Sequence, residues 1–312
     1  ISELALSIWD FISVILNAKT GLIKNIEITK YAKILFIQIK NSILNINICT
    51  RHIHTGYLNQ ITNYFLMIKN TFIIYDKIGK TKEKYLWNNG IKNWSDFLNT
   101  ENIRFFPKKS KSYYDRKIKE SANALQNYDS SYFKNKLSPL DSWRLYDYFR
   151  DDVIFLDIEI SGSSKNGHIT VFGMYDGYDT KIMIKDINLD FISLKKFLLN
   201  FKLIITFNGS SFDIPFIKKR HKGLIPDIPH FDLRHACKKV GLSGGLKQIE
   251  KKLGIRRNDY LENFDPISYW NIFRHTGNKK YLNQLIEYNE EDVINLKKIA
   301  THVTKELKKS VL

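Results

Sequence analysis

Across 312 residues there are only two cysteines, Cys49 and Cys237, and no CxxC spacing. This argues against a disulfide framework or a cysteine-built zinc site, and it fits a reducing cytosol, hence a cytoplasmic protein. Long apolar runs are missing too. The stretch Leu4–Leu16 is short, is broken by Asp10 and carries no basic leader, so neither a membrane span nor a signal peptide is expected. Acids are scarce beside bases, with 49 Lys+Arg against 32 Asp+Glu and a formal charge of +17. Such an excess favours polyanionic partners, nucleic acid above all, because phosphate contacts release counterions. Lys, Ile and Asn are abundant throughout, so compositional drift accounts for part of it. Hydrophobic content of 43% with 26% charged residues is that of a folded globular chain, and the length allows two domains.

The first 66 residues differ from the rest. They are rich in Ile and Asn, contain no proline and hold three acids, Glu3, Asp10 and Glu27. Tyr31–Lys40 reads as strand and Ser2–Leu16 as helix, without clear caps. The first methionine is Met67, so 1–66 is expected to be an atypical extension upstream of the natural start. The alternative is a genuine N-terminal module in a fragmentary sequence.

Residues 67–150 read as a small, mainly helical region. Lys82–Asn89 is an expected helix closed by Gly90, and Asn93 or Ser95 caps the next, through Trp94, Phe97 and Leu98. Helix, glycine turn and helix with basic flanks suggest a helix-hairpin-helix-like backbone binder or a plain packing motif. Gly79-Lys80-Thr81 is not a P-loop, since the preceding glycine spacing is missing. Lys108–Lys111 reads as a basic loop, Tyr113–Gln126 as a polar helix, and Ser138-Pro139-Leu140 as the start of another helix.

The second half has an α/β pattern. Strands are expected at Asp152–Ile158, His168–Tyr175, Thr180–Lys185 and Leu203–Phe207, with a tight turn at Asp176-Gly177. A helix at Phe191–Asn200 separates the last two, and beyond Phe212 the chain reads almost entirely helical. Three hairpin strands, a helix and a further strand predict a mixed sheet flanked by helices.

Three acidic motifs are placed on this frame. Asp157 and Glu159 alternate with apolar residues near the end of the first strand, so both point to one face. Alone, the pair reads as a strand end reaching solvent, although adjacent carboxylates also favour a cation between them. Asn208-Gly209-Ser210-Ser211-Phe212-Asp213 follows the fourth strand, where open α/β sheets gather ligands. Asp213 there also suits the positive end of a helix. Finally Tyr288 and Asp292, four apart, share a helix face.

In this order the motifs resemble the DEDD 3′–5′ exonucleases of the ribonuclease H-like superfamily. Within that superfamily they resemble the YprB-type ribonuclease H-like domain family, over roughly residues 151–300. Phe155–Gly162, Ile205–Ile217 and Glu287–Val293 carry the likeness, and Leu86–Phe97 resembles the region that precedes the domain. The resemblance implies an exonuclease domain at 151–312 with Asp157, Glu159, Asp213 and Asp292 as metal-binding carboxylates. It makes Tyr288 the residue that orients the attacking water, and it favours the tyrosine subclass because Glu287 stands where a histidine variant would have His. Ile160 and Ser161 replace the threonines usual after the DxE, so contacts near the scissile phosphate differ.

Four hard oxygen ligands suit two Mg²⁺ or Mn²⁺ ions rather than zinc, as two-metal phosphodiester hydrolysis requires. Asn208 and Phe212 are the substrate-side candidates, with Phe212 reading first as a core anchor. Glu290 and Glu291 are expected to face solvent, Asp232 to cap the following helix, and the Lys218-Lys219-Arg220 and Arg256-Arg257 clusters to be solvated charges or phosphate contacts. The resulting expectation is a metal-dependent 3′–5′ exonuclease acting on DNA or RNA at single-stranded ends. The alternatives are a non-catalytic nucleic-acid-binding protein of the same fold and a structure-selective endonuclease.

Overall fold

The computed structural model describes residues 66–163, 165–258 and 265–311. The expectations for the N-terminal extension, including Ser2–Leu16 and Tyr31–Lys40, lie outside the described residues.

Strand alternation sets up the sheet. In β1 (Val153–Ile160), Ile154, Leu156, Ile158 and Ile160 share one face. They pack in a core with Leu194, Leu198, Ile214 and Ile217. Val153 and Phe155 turn the other way, into a core with Ile205, Phe231, Leu296 and Ile299. Asp157 and Glu159 continue this second face. Beside β1 lie β2 (Ile169–Tyr175), β3 (Thr180–Ile184), β4 (Leu203–Thr206) and β5 (His230–Asp232), in the order β3-β2-β1-β4-β5. The first three pair antiparallel, while β1–β4 and β4–β5 are parallel. This is the expected mixed sheet. Gly177, at φ +99, makes the β2–β3 turn in a conformation that favours glycine.

β5 is a strand that the almost entirely helical reading beyond Phe212 did not include. Its three residues are too short for periodicity to register, and they become a strand only because Ile204, Ile205 and Thr206 align with them.

The helical region holds α1 (Leu66–Lys69), α2 (Lys80–Asn88), α3 (Trp94–Asn99), α4 (Lys108–Gln126) and α5 (Tyr146–Phe149). Asn93 caps α3 in a reciprocal capping box with Asp96. Lys108–Lys111 is the first turn of α4 rather than a loop, with Lys111 buried on Asp115 at 2.6 Å and its ammonium over the Phe97 ring. No helix starts at Ser138-Pro139-Leu140. Ser138 Oγ donates to Asp141, and Lys239 also claims that carboxylate, so no cap is left and a 3₁₀ turn at Ser142–Leu145 follows instead. This region and the β1 face that bears Asp157 share one continuous core.

After the sheet strands come α6 (Phe191–Leu198), α7 (Asp213–Arg220), α8 (Leu233–Lys239), α9 (Leu246–Lys252), α10 (Pro266–Thr276) and α11 (Lys279–Val311). The 33-residue α11 buries Leu285, Asn289, Asp292, Val293, Leu296 and Ile299 along one stripe, at the three- and four-residue spacing of an amphipathic helix. That stripe lies against β1 and β2.

Candidate metal centre

The site forms where β1 outruns its neighbour. β4 pairs with β1 only through Phe155, so the β4 side of the last strand residues is left open. A register shift between Glu159 and Ile160 marks the end of regular pairing with β2. Asp213, at the start of α7, closes the gap: its Oδ1 accepts a hydrogen bond from the Ile158 amide at 3.2 Å. From α11, Tyr288 and Asp292 reach the same place. One carboxylate oxygen from each of Asp157, Glu159 and Asp292 lies within 4.8 Å of the others. Asp213 adjoins this trio and adds to its negative field, although its own oxygen is taken up by the strand amide.

The electrostatics follow from burial and crowding. Burial first, then Asp213, Glu159 and Asp292, push Asp157 well above the usual carboxylate range, with Arg257 opposing. Glu159 is raised by burial and by Asp292 and Asp213. Burial lifts Asp213 to about 7, with the Ile158 amide among the groups resisting. Burial lifts Asp292 to about 6, held down by Arg257. Four acids that resist ionising in one another's company are what a site for a cation looks like when the cation's charge is left out. The donors fit a hard divalent ion, since all are carboxylate oxygens. Asp292 Oδ1 is moreover buried without a hydrogen-bond partner.

Asn289 was not anticipated from sequence. Fully buried on α11, it donates from Nδ2 to Asp157 Oδ2 at 2.8 Å. It fits because residue 173, opposite Asp157 on β2, is glycine: a Cβ there would stand 1.8 Å from Asn289 Oδ1. A lone glycine inside a strand is the signal that could have found it, since it marks a close approach.

Arg257 was read as a solvated charge or a phosphate contact, and it is not solvated. Its side chain is only 10% exposed, with Nη2 2.5 Å from Asp292 Oδ1. Nη1 donates to Glu250 Oε2 at 2.8 Å, and Nε lies 3.5 Å from Glu291. Burial works against its charge, but Asp292 and Glu250 outweigh burial and raise its pKa. Arg256 is exposed as expected. Glu290 and Glu291 do not simply face solvent either. Glu290 accepts from Thr180 Oγ1, and Glu291 pairs with Arg257 and accepts from the Asn258 amide, because the helix packs on β3 and on the segment after α9. Lys247, on α9, stands 4.9 Å from the Tyr288 ring centre.

Asp232 caps α8 through the Arg234 amide, as expected, and also accepts from the amides of Asn208 and Ser210. It thereby holds the β4–α7 turn that presents Asp213. Asn208 sits in that turn at φ +64, a left-handed conformation asparagine tolerates, with Oδ1 accepting from Arg234. Phe212 is half-buried, its ring 5.8 Å from that of Phe216, against the core of the opposite sheet face.

These features define a class. The family model RNase_H_2, of the RNase_H superfamily, matches residues 154–304. More particularly, the chain is 25% identical over 181 residues to the uncharacterized protein YprB of Bacillus subtilis (strain 168), covering 51% of this chain and 44% of that protein. The fold is thus ribonuclease H-like, and the chain spans less than half of that relative. The family B DNA polymerase from the hyperthermophilic archaeon Pyrobaculum calidifontis is a more distant neighbour. It is 15% identical with a TM-score of 0.37, covering 50% of this chain and 24% of that one. Among the described residues, no helix is long and apolar enough to cross a membrane.

Proposed function

We propose that this protein is a metal-dependent 3′–5′ exonuclease that hydrolyses phosphodiester bonds in DNA or RNA, acting at single-stranded ends in the cytoplasm. In this reading 151–312 is the exonuclease domain and 67–150 a helical region that helps to hold the nucleic-acid backbone. The observation that carries it is the convergence of Asp157, Glu159 and Asp292 within 4.8 Å, with Asp213 beside them. Asp157, Glu159, Asp213 and Asp292 would hold two Mg²⁺ or Mn²⁺ ions, which when bound supply water activation and stabilise the leaving oxygen.

The chain's own groups have distinct tasks. Tyr288 is pushed up by burial and by Asp292, so its hydroxyl stays protonated and can orient the attacking water. Asn289 keeps the Asp157 carboxylate in one rotamer. Asn208 and Phe212, on the turn that delivers Asp213, shape the approach of the substrate.

The test uses DNA and RNA oligonucleotides labelled at the 3′ or the 5′ end, with Mg²⁺, Mn²⁺ or EDTA. Stepwise shortening of the 5′-labelled strand that stops in EDTA and with Asp157→Ala is the expected result. The Arg257 contact on Asp292 favours a second reading, a binding module that cuts nothing. Equal background for the wild type and Asp157→Ala under every condition would favour that module and end the exonuclease reading.

A further inference from the structure

We propose that Arg257 is a tethered cation that occupies the carboxylate cluster when metal is absent and competes with the divalent ion for Asp292. The inference rests on the metal-dependent reading above.

Its Nη2 lies 2.5 Å from Asp292 Oδ1, and both atoms are buried. It is a single-pronged contact rather than a guanidinium–carboxylate fork, since Nη1 and Nε are turned to Glu250 and Glu291. The well-made bond is elsewhere. Nη1 donates to Glu250 Oε2 at 2.8 Å, and Glu250, 1% exposed, is itself fixed by Asn295 Nδ2 at 2.9 Å. Glu250 and Glu291 thus balance the arginine from outside the trio, and Arg257 can leave Asp292 without becoming an unpaired buried charge.

Its backbone permits the shift. Residues 255–258 are neither helix nor strand, so the move breaks no ladder. The guanidinium cannot shed its proton, and a divalent ion on Asp292 would meet its charge at contact range, where like charges repel strongly. Metal binding and the Arg257–Asp292 contact are on these grounds mutually exclusive.

The experiment titrates the full-length chain with Mn²⁺ and follows free Mn²⁺ by electron paramagnetic resonance. Wild type, Arg257→Gln, the Glu250→Gln/Arg257→Gln pair and Arg256→Gln are compared. The pair removes the acid that the single change would strand, so folding loss does not mask the result. Both variants lacking Arg257 should bind Mn²⁺ about tenfold more tightly than wild type. Arg256→Gln, which removes the same charge from an exposed neighbour, should stay within twofold.

If wild type binds Mn²⁺ and the Arg257 variants bind it equally or less tightly, the tethered-cation idea is overturned and the exonuclease reading survives. The idea also fails if Arg256→Gln tightens binding as much as Arg257→Gln, since net charge alone would then be responsible. If no protein binds Mn²⁺, both readings fall together. Binding by the Arg257 variants alone would support competition in its strongest form.

Discussion

Replacing Gly173 by alanine adds one methyl group, and the structure says where it must go. A Cβ at 173 would stand 1.8 Å from Asn289 Oδ1 and 2.7 Å from its Cγ. Asn289 is fully buried and its amide is committed to Asp157 at 2.8 Å, so it cannot swing into solvent. Either Asn289 rotates and leaves its buried amide without its partner, about 1–3 kcal/mol, or β2 and α11 are forced apart, which costs about 1–3 kcal/mol as overpacking. With some of both, the loss should be roughly 2–5 kcal/mol.

Urea unfolding of Gly173→Ala, Asn289→Ala and the double variant measures this as a cycle. The double variant should be less destabilised than the sum of the singles by at least about 1 kcal/mol, because the second change makes room for the first. Additivity within about 0.5 kcal/mol would refute the close-approach argument, as would a Gly173→Ala cost below that figure.

Two other consequences can be measured. Glu83 and Arg144 form a bidentate pair at 2.9 Å, each side chain 2% exposed, and Glu83 also accepts from the Phe72 and Ile73 amides. Arg144→Met should therefore cost about 3–5 kcal/mol by leaving a buried acid unpaired, and a Tm unchanged within error would count against it. In EDTA, stability should fall as pH rises from about 4 to about 7, because burial raises Asp213 from 3.8 to about 7 in the folded chain, which then holds protons that the unfolded chain has released. The stability of Asp213→Asn relative to wild type should accordingly be greater at pH 8 than at pH 5, and a difference that does not vary with pH would contradict the raised value.

How much of this was legible in the chain differs from element to element. The Phe155–Glu159 alternation announced both the strand and the shared face of its two acids, because a two-residue period is a local property. Tyr288 and Asp292 were placed on one helix face for the same reason, at a 3.6-residue period. The β4–α7 junction was marked by Asn208, which suits a turn, and by Asp213 in the first turn of the next helix, both local chemistry; that Asp232 holds this turn was decided by tertiary structure. β5 was not legible, since three residues carry no period, and its strand character comes wholly from β4.

Arg257 shows the limit most clearly. Beside Arg256, in a stretch without periodicity, nothing local distinguishes the exposed arginine from the buried one. Only the packing of α9 and α11 brings Glu250, Glu291 and Asp292 around residue 257. The acids at 157, 159, 213 and 292 were named from a family resemblance carried by three ordered motifs. That three of them meet within 4.8 Å, that Asp213 leans on the strand amide and that an arginine already sits on Asp292 were decided by tertiary structure. Local sequence sets which way a side chain faces within its own element. Which charges then face one another depends on how separate elements pack together.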